Sequence, residues 1–409
     1  MQSRRVFLAG AIGAPAIVTA GTAKRGYAWT EIEKMIARGD VRGGLTKDDL
    51  PTPALLLDLD AFEANVAKMA SYLKSRNRSF RPHAKTHKCP EIAKRLIQAG
   101  AAGACAAKIS EAEALARHGV GGLLITSAMV GRHRIERALL LARSRPETIF
   151  CADNAQNVRD LNDAAGAARL KLNLAVDLLV GGRTGIQLGE PALGLAQLIT
   201  SLPNVRLSGI QAYAGQAAHI VGFENRKRLS EEVMGRAVET RRLFEGKGIA
   251  CPLLSGGSTG TYNIDSSIEG VTEIQPGSFM FMDLDYNRIG GSDGPVYRDF
   301  RNSLTVLTTV VSKPSDQLAV VDGGLKAFST DKPIMPEAKD RPGVVYSWGG
   351  DEHGRLNLAS AQAPVSLGDR IEFIIPHCDP SVNLYDRLFC VRGDRVEAVW
   401  SIAARGMSQ

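Results

Sequence analysis

Short apolar runs alternate with amphipathic segments from residue 54 onward. Each run has the length of a strand, and in the segment after it apolar residues recur at helical spacing. The eight predicted strands are residues 80–84, 102–107, 123–126, 148–152, 170–177, 206–213, 251–255 and 271–275. Such strand–helix units predict an α/β fold, a (β/α)8 TIM barrel, because an open doubly wound sheet usually has fewer strands.

The first predicted helices have recognisable ends. Pro90 stands in the first turn of one helix, and Gly100 follows its last residue. Ser110 and Glu113 form a capping box for the next helix, which Gly119 ends. These signals support the alternation of strands and helices.

The pattern changes after residue 295, where strands follow one another without helices. The segments SLTVLTTVVS, LAVVDGG, GVVYSW, DRIEFIIPH and RLFCVRGDRVEAVWSI all read as strands, and the last predicts a hairpin that turns at residues 392–394. We therefore predict a barrel over residues 54–294 and a β domain over residues 295–409. Residues 26–53 are expected to join the β domain.

The N-terminus predicts an export signal. Residues 3–8, SRRVFL, contain a twin-arginine pattern, and an apolar stretch with small residues follows them. Residues 1–25 are therefore predicted to be a cleaved twin-arginine signal peptide, with an N-terminal anchor helix as the alternative. The mature protein is then expected in the periplasm, without a stable membrane span.

Composition argues against a nucleic-acid-binding protein. The 409 residues are 44% hydrophobic, which is enough for a large core. Fifty Lys and Arg residues against 43 Asp and Glu give a formal net charge of +7, but they are interspersed without a long basic run. An anionic small molecule accounts for this excess equally well. Six cysteines lack CxxC spacing, so neither a zinc knuckle nor a disulfide scaffold is indicated.

Polar residues cluster at the carboxyl ends of the predicted strands, where TIM-barrel enzymes carry their active sites. The stretch SGGSTGT (255–261) follows the seventh strand, the usual position of a barrel phosphate site. Its backbone N–H groups and hydroxyls suit a phosphate group, and an ordinary glycine turn is the alternative.

Lys85 stands at the end of the first predicted strand. The sequence leaves three roles open for it: a surface lysine, a phosphate contact or a Schiff-base amine. Its basic neighbours are predicted to depress its pKa and make it nucleophilic: Arg81, His83, His87 and Lys88. A strand-end lysine together with a phosphate site points toward pyridoxal phosphate.

A metal site is predicted in the segment IIPHCDPSVNLYD. His377 and Asp379 are two positions apart, so on an extended segment both side chains point to the same side. Cys378 then points away. A nitrogen and an oxygen donor with open positions suit Mn²⁺, Mg²⁺, Ca²⁺ or Zn²⁺, and a plain polar loop is the alternative.

Nine motifs between residues 45 and 406 occur in the order seen in one known family. They are TPALLLDLDAFEANVAKMA (52–70), RPHAKTHK (81–88), KISEAEALARHG (108–119), GIQAYAGQAAH (209–219), SGGSTGTY (255–262), EIQPGSFMFMDLDY (273–286), VVDGGLKAFSTD (320–331), DEHG (351–354) and PHCDPSVNLYD (376–386). The chain thereby resembles the fold-type III pyridoxal phosphate enzymes. Within them it is similar to the group of D-threonine aldolase, D-serine dehydratase and 3-hydroxy-D-aspartate aldolase.

The resemblance implies an alanine racemase-like barrel in which Lys85 carries pyridoxal 5'-phosphate. It implies that Tyr213 packs beneath the pyridine ring and that Arg183 lies near the phenolic oxygen. Gln275 falls where alanine racemases place an arginine against the pyridine nitrogen. The residues that would hold the phosphate are Gly256, Gly257, Ser258, Thr259, Gly277 and Ser278.

The activity implied is metal-dependent retro-aldol cleavage of D-β-hydroxy-α-amino acids to glycine and an aldehyde, as in low-specificity D-threonine aldolase. His377 and Asp379 would hold the ion, with Mn²⁺ preferred, and His83 or His219 would be the base. The alternatives are 3-hydroxy-D-aspartate aldolase and D-serine or D-3-hydroxyaspartate dehydratase. The dehydratase branch resembles His-x-Cys with zinc, whereas this chain has Asp379.

Three other readings are less well supported. A racemase or decarboxylase of the same fold would not need the metal pair. A non-catalytic pyridoxal phosphate carrier resembles the barrel alone, without the β domain. A glycosidase barrel needs paired carboxylates at strand ends, and none stands out. The family also implies a homodimer in which a partner subunit completes the site.

Overall fold

The described part of the chain comprises residues 27–39, 41 and 44–409 of a computed structural model. The predicted twin-arginine signal peptide, residues 1–25, lies outside it. Over these described ranges, no helix combines the length and the apolar composition needed to cross a membrane.

The first strand of the chain belongs to the sheet of the C-terminal half. Strand β1 (Ala54–Asp58) pairs antiparallel with residues 304–307 and parallel with residues 389–391. The barrel predicted to begin at residue 54 therefore has its first strand later, and β1 is part of the β domain. All but the last residue of β1 are buried, as expected for a central strand.

Eight parallel strands form the predicted TIM barrel. They are β2 (Ser79–Phe80), β3 (Ala104–Ala106), β4 (Leu123–Ile125), β5 (Ile149–Ala152), β6 (Leu172–Asp177), β7 (Val205–Ala212), β8 (Leu253–Gly256) and β9 (Glu273–Ile274). The sheet runs β2-β9-β8-β7-β6-β5-β4-β3, and a parallel bridge between His83 and Cys105 joins its two ends. The barrel is thus closed immediately before Lys85, and the strand prediction is confirmed.

Twelve helices are described, and most of them surround this barrel and connect its strands. They are α1 (Trp29–Arg38), α2 (Leu59–Ser75), α3 (Pro90–Gln98), α4 (Ile109–Arg117), α5 (Arg132–Ser144), α6 (Ala155–Ala167), α7 (Glu190–Ser201), α8 (Gly215–Ala218), α9 (Phe223–Gly246), α10 (Tyr262–Asp265), α11 (Leu284–Asn287) and α12 (Cys378–Val382). Short 3-10 turns are Lys47–Asp49, Ala84–Thr86 and Ser278–Met280.

One predicted helix end differs in the structure. Pro90 does open α3, as predicted. Helix α4, however, begins at Ile109, so Ser110 lies inside it and cannot form the predicted capping box. The Ser110 hydroxyl instead donates to the carbonyl oxygen of Gln409 at 3.0 Å, which ties the C-terminus to the barrel.

The second sheet contains β1 and eight strands of the β domain. These are β10 (Leu304–Ser315), β11 (Leu318–Val321), β12 (Glu337–Ala338), β13 (Val345–Trp348), β14 (Gly354–Asn357), β15 (Arg370–Ile374), β16 (Arg387–Arg392) and β17 (Arg395–Ser401). Its order is β13-β14-β11-β10-β1-β16-β17, with β15 paired to both β10 and β12. The hairpin between β16 and β17 turns where it was predicted.

The segment before β1 packs on this sheet. The side chains of α1 contribute to a small apolar cluster with Leu56, Leu307 and Phe389. The Val396 amide donates to the Leu45 carbonyl at 2.9 Å. Residues 44–53 therefore extend the β domain at its edge.

The β domain meets the barrel mouth through main-chain hydrogen bonds. The amides of Leu284 and Asp285 donate to the carbonyls of Ile375 and Pro376, both at 3.1 Å. The Cys378 amide donates to Asp283 Oδ2 at 2.8 Å. These bonds bring the segment with His377 and Asp379 against the barrel. All six cysteines of the chain are buried as free thiols.

Candidate active site

Lys85 lies just beyond the first barrel strand, in the 3-10 turn Ala84–Thr86. Its Nζ is 2.9 Å from Asp379 Oδ2, so the barrel and the β domain meet in this ion pair. The Asp379 charge raises the pKa of Lys85 and outweighs the opposite effect of burial. The predicted depression of the Lys85 pKa is therefore wrong for this arrangement, because a carboxylate of the other domain dominates the lysine's surroundings.

The basic neighbours of Lys85 have partners of their own. Both carboxylate oxygens of Glu273 accept hydrogen bonds from the Arg81 guanidinium at 3.0 Å. Lys88 Nζ lies 3.5 Å from Glu111 Oε1. These charges are neutralised locally, so they do not act on Lys85 as the sequence suggested.

The two histidines of the same motif are buried and neutral. Burial, followed by the neighbouring Lys85 charge, lowers the pKa of His83 to about 3. His83 Nδ1 accepts the Lys85 amide at 3.4 Å, and Nε2 lies 3.3 Å from the Thr126 hydroxyl. Burial also lowers the pKa of His87 to about 3, and its Nδ1 accepts the Cys89 amide at 3.1 Å.

Two adjoining cavities meet at Lys85. The larger, of about 310 Å³, opens along the barrel axis toward Arg183. The smaller, of about 40 Å³, lies toward the β domain. Four side chains line both cavities: His83, Lys85, Tyr213 and Gln275. The smaller cavity is also lined by Ser258, Thr259, Gly277, Ser278, His219, His377 and Asp379, so the structure brings most of the predicted site residues together.

The glycine-rich loop after β8 offers main-chain donors. Gly257 has a φ of +73°, and a Cβ on Gly277 would stand 2.6 Å from Thr86 Oγ1, so both positions require glycine. The hydroxyls of Ser258 and Thr259 bond within the loops, to Thr261 Oγ1 at 3.0 Å and to the Phe279 amide at 3.0 Å. Across the part of the chain that the structure describes, the Thr259 and Gly277 amides have no acceptor.

An anion such as a phosphate fits this cradle, because unpaired amides and the absence of side-chain bulk allow close approach. Of the six predicted phosphate residues, Ser258, Thr259, Gly277 and Ser278 line the smaller cavity. Gly256 ends β8 and Gly257 follows it, and neither lines the cavity. The hydroxyls of Ser258 and Thr259 shape the loops, whereas the sequence analysis had assigned them to the ligand.

Tyr213 and Arg183 lie next to each other in the wall of the larger cavity. The Arg183 guanidinium lies 5.2 Å from the centre of the Tyr213 ring, a cation–π distance. Gln275 is held by its amide nitrogen, which donates to Gln211 Oε1 at 2.5 Å and to the Ser255 hydroxyl at 2.8 Å. Its position below Lys85 agrees with a contact to a ring in the cavity.

His377 and Asp379 both line the smaller cavity, but not because they lie on an extended segment, as the sequence predicts. The segment is not extended, because His377 caps α12 and Asp379 lies in the first turn of that helix. His377 Nδ1 is 2.7 Å from Asp331 Oδ2, which leaves Nε2 as its free donor atom. Such a carboxylate on the far side of the ring is typical of metal-ligating histidines.

Cys378, between these two residues, is fully buried, and burial raises the pKa of its thiol well above the usual range. The sequence predicts that Cys378 points away from His377 and Asp379, and Cys378 indeed does not line the cavity. In the described residues, no group of three or more His, Cys, Asp or Glu side chains could hold a metal ion. His377 and Asp379, the predicted pair, both line the smaller cavity.

His219 is fixed by a buried carboxylate. Its Nδ1 lies 2.8 Å from Asp285 Oδ2, and its ring stacks at 4.5 Å on Tyr286. The two atoms are in close polar contact, but their geometry is not that of a hydrogen bond. Arg288 and Lys332 also approach Asp285. Burial would raise the pKa of Asp285, but His219 and the two cations hold it well below its usual range.

Sequence reasoning missed Asp331 and Asp285, which orient His377 and His219. Neither stands at a strand end of the barrel, and neither has an informative spacing from its histidine. Their only signal was their place in the motifs VVDGGLKAFSTD and EIQPGSFMFMDLDY, which were used for the resemblance as a whole.

Comparison with known proteins agrees with this geometry. Residues 57–285 match the family model described as "Alanine racemase, N-terminal domain", and residues 303–391 match a model named for a serine dehydratase domain. A 3-hydroxy-D-aspartate aldolase of Paracoccus denitrificans (strain Pd 1222) is 36% identical over 367 residues, which cover 89% of this chain and 94% of that protein. A D-threonine aldolase of Arthrobacter sp is 38% identical over 360 residues, 88% of this chain and 93% of that protein.

A solved structure shows the same architecture over nearly the whole chain. The crystal structure of D-threonine aldolase from Filomicrobium marinum superposes with a TM-score of 0.84 at 36% identity. The match covers 90% of this chain and 98% of that one. The similarity therefore includes the β domain as well as the barrel.

Proposed function

Because the chain belongs to the lyase family of D-threonine aldolase and 3-hydroxy-D-aspartate aldolase, an alanine racemase-like pyridoxal phosphate family, we propose that it cleaves D-β-hydroxy-α-amino acids. The products are glycine and an aldehyde, and the reaction uses pyridoxal phosphate and a divalent metal ion. Low-specificity D-threonine aldolase is the preferred assignment. 3-Hydroxy-D-aspartate aldolase is the second candidate, because a relative with that name is 36% identical.

The observation that carries this proposal is the ion pair between Lys85 and Asp379, at 2.9 Å. It places the only predicted cofactor amine beside a predicted metal ligand. A substrate held near Lys85 is then within reach of an ion at Asp379. A carrier protein has no need of this second group.

The residues around Lys85 fit the cofactor. Unpaired amides at Thr259 and Gly277 receive an anion, and the larger cavity, whose wall includes Tyr213 and Arg183, accommodates a ring. Lys85 would hold the cofactor covalently, and Gln275 would contact its ring. Bound there, pyridoxal phosphate supplies the electron sink that bond cleavage at Cα requires.

The residues near Asp379 fit a divalent metal ion. His377 presents Nε2 because Asp331 occupies Nδ1, and Asp379 adds a carboxylate whose pKa is held low by Lys85 and His377 against the effect of burial. Such a mixed set with open positions suits Mn²⁺ first, with Mg²⁺, Ca²⁺ or Zn²⁺ as alternatives. A divalent ion there supplies polarisation of the substrate's β-hydroxyl oxygen.

His219 is the better of the two candidate bases. Both ring nitrogens of His83 are engaged, since Nδ1 accepts the Lys85 amide and Nε2 faces Thr126. His219 has Nδ1 against Asp285 and Nε2 available in the smaller cavity. His219 therefore takes the proton from the β-hydroxyl, and Asp285 stabilises the charged ring that results.

The identity of the second proposed metal ligand, beside His377, favours cleavage over dehydration. Asp379 lines the cavity, whereas Cys378 does not, and its buried thiol donates to Asp379 Oδ1 at 3.6 Å. A thiolate ligand is thus not offered to the ion. D-serine or D-3-hydroxyaspartate dehydratase activity remains the alternative to be distinguished by the products.

The experiment offers purified protein, pyridoxal phosphate and Mn²⁺ to D-threonine, D-phenylserine, D-3-hydroxyaspartate and D-serine in parallel. We expect glycine with the matching aldehyde. Ammonia with a keto acid would assign a dehydratase, racemised substrate would assign a racemase, and no product from any of them would refute the proposal.

Export and assembly are proposals of the same kind. The twin-arginine pattern supports a periplasmic location, which fractionation of the producing cells checks. The family resemblance supports a homodimer, which light scattering of the purified protein checks.

A further inference from the structure

Arg226 is a fully buried arginine whose four hydrogen bonds all go to main-chain oxygens. It lies in the first turn of α9 and is 0% exposed. Its Nε donates to Gly260 at 2.7 Å, Nη1 to Ile220 at 2.8 Å and Ile289 at 3.0 Å, and Nη2 to Gly290 at 2.7 Å. Buried arginines usually have a carboxylate partner, so this use of the side chain needs an explanation.

The four carbonyls belong to three loops that carry the candidate active site. Ile220 follows His219 directly. Gly260 follows Thr259, whose amide faces the anion cradle. Ile289 and Gly290 follow α11, the short helix that carries Asp285. The guanidinium is therefore the common point at which these loops meet.

Other contacts show that these loops pack as one unit. A Cβ on Gly260 would stand 2.1 Å from the carbonyl oxygen of Ala218, so the anion loop touches the α8 turn. The Gly222 amide donates to the Ile289 carbonyl at 2.9 Å. The Tyr297 hydroxyl donates to the Thr259 carbonyl at 2.7 Å. Arg226 lies inside this set and contacts every loop in it.

We propose that Arg226 is a positioning residue that fixes the His219 loop to the anion-binding loop, so that anion binding at Thr259 sets the position of His219. This inference rests on the proposed function and deepens it. Arg226 touches neither substrate nor cofactor. It acts by holding the main chain on which those contacts depend.

The chemistry of the side chain explains why arginine is required. A guanidinium presents five N–H donors in a rigid plane, so it can serve carbonyls on three loops at once. A lysine offers three donors from a single nitrogen and cannot span the same four oxygens. A methionine fills similar space but removes the donor from the carbonyls of Ile220, Gly260 and Gly290, while the Ile289 carbonyl keeps only the Gly222 amide.

The first test compares Arg226→Lys and Arg226→Met with the matched control Arg228→Lys. Arg228 lies on the same helix, is exposed, and bonds only Asn225 there, at 3.2 Å. The readouts are pyridoxal phosphate affinity by absorbance titration, kcat and KM separately, and the thermal midpoint. We expect Arg226→Lys to weaken cofactor binding and to lower kcat, each by at least about ten-fold, with a smaller change in KM. The control should match the wild type.

The proposal is overturned if folded Arg226→Lys keeps cofactor affinity and kcat within about two-fold of the wild type. It is also overturned if the variant loses only thermal stability, because that is the result of a purely structural role.

A second measurement uses the wild-type apoprotein and needs no variant. Inorganic phosphate is added, and amide hydrogen exchange is followed in residues 257–261, 219–222 and 287–291. We expect phosphate to slow exchange in all three segments. Protection confined to 257–261 would overturn the proposal even if both Arg226 variants failed to fold. If the wild type cleaved none of the amino acids, the proposed function would fail, while this exchange result would still decide the role of Arg226.

Discussion

The amine of Lys85 and the carboxylate of Asp379 are each other's counter-ion across the domain boundary, 2.9 Å apart. Both groups are buried enough for the pairing to shift their pKa values in opposite directions, up for Lys85 and down for Asp379. In the proposed reaction the cofactor needs the same amine, and the metal ion needs the same carboxylate. Loading one ligand therefore frees the partner group for the other.

Lys85→Ala should remove the cofactor's long-wavelength absorbance, because Lys85 is the one lysine among the described residues that lines both cavities. The same change frees Asp379, so the apoprotein should bind Mn²⁺ more tightly, by about ten-fold. Absorbance spectra and Mn²⁺ titration measure the two effects. Lys108→Ala, which alters a lysine lining only the larger cavity, is the control. Retained absorbance in Lys85→Ala would contradict the cofactor assignment.

Asp379→Asn should keep the cofactor absorbance and lose cleavage by at least about 100-fold, because a neutral amide is a poor ligand for a hard divalent ion. Asp331→Asn should weaken metal affinity by about 10- to 100-fold through its effect on His377. Aldehyde release as a function of Mn²⁺ concentration measures both. An unchanged rate for Asp379→Asn would remove the metal role from that residue.

His219→Gln should lower kcat by about 10²- to 10⁴-fold, the usual contribution of a general base. His83→Gln should cost much less, since His83 is neutral and already engaged through both nitrogens. Single-turnover rates with D-threonine compare the two variants. The reverse ranking would make His83 the base.

Gly277→Ala should weaken pyridoxal phosphate binding, because the added Cβ would stand 2.6 Å from Thr86 Oγ1 and displace the cradle. Gly235→Ala is the matched control, since a Cβ there has no atom within 4 Å and Gly235 lies within helix α9. The control should bind the cofactor normally and gain up to about 1 kcal/mol of stability. Absorbance titration and urea unfolding measure the pair. Equal cofactor affinity in the two variants would argue against the cradle.

Asp265 gives a pH dependence with a defined sign. Burial raises its pKa from the usual 3.8 to about 6, although the Ser230 and Thr261 hydroxyls oppose the shift. The folded protein therefore holds this proton more tightly than the unfolded chain, and the stabilisation is present below pH 4 and lost as the pH rises through 6. Relative to Asp265→Asn, the wild type should lose on the order of 3 kcal/mol of unfolding free energy between pH 4 and pH 7. Urea unfolding at several pH values measures this, and parallel curves would show that Asp265 does not titrate there.

The barrel could be predicted from the sequence because its strands are marked locally. Apolar runs such as residues 123–126 and 148–152 are bounded by helical segments, and the period changes at each boundary. Lys85, His377 and the glycine-rich loop could also be predicted as site residues, since each lies in a short motif of consecutive residues that indicates its chemistry.

What could not be predicted depends on contacts between distant segments. β1 has the same local pattern as a barrel strand, and only its pairing with β10 and β16 assigns it to the other sheet. The pKa of Lys85 was misjudged because its nearest neighbours in sequence are basic, while its nearest charge in space is Asp379. Asp285 and Asp331 could not be predicted as site residues either, because each is distant in sequence from the histidine that it contacts.

The position of β1 has a consequence for the order in which the protein is made. This strand leaves the ribosome before any barrel strand, yet both its neighbours, β10 and β16, are synthesised after the barrel is complete. The apolar strand β1 therefore stays unpaired until the C-terminal part of the chain has been synthesised. Contacts of such long sequence separation form late and slowly, so a nascent or truncated chain would expose this strand and be prone to aggregate.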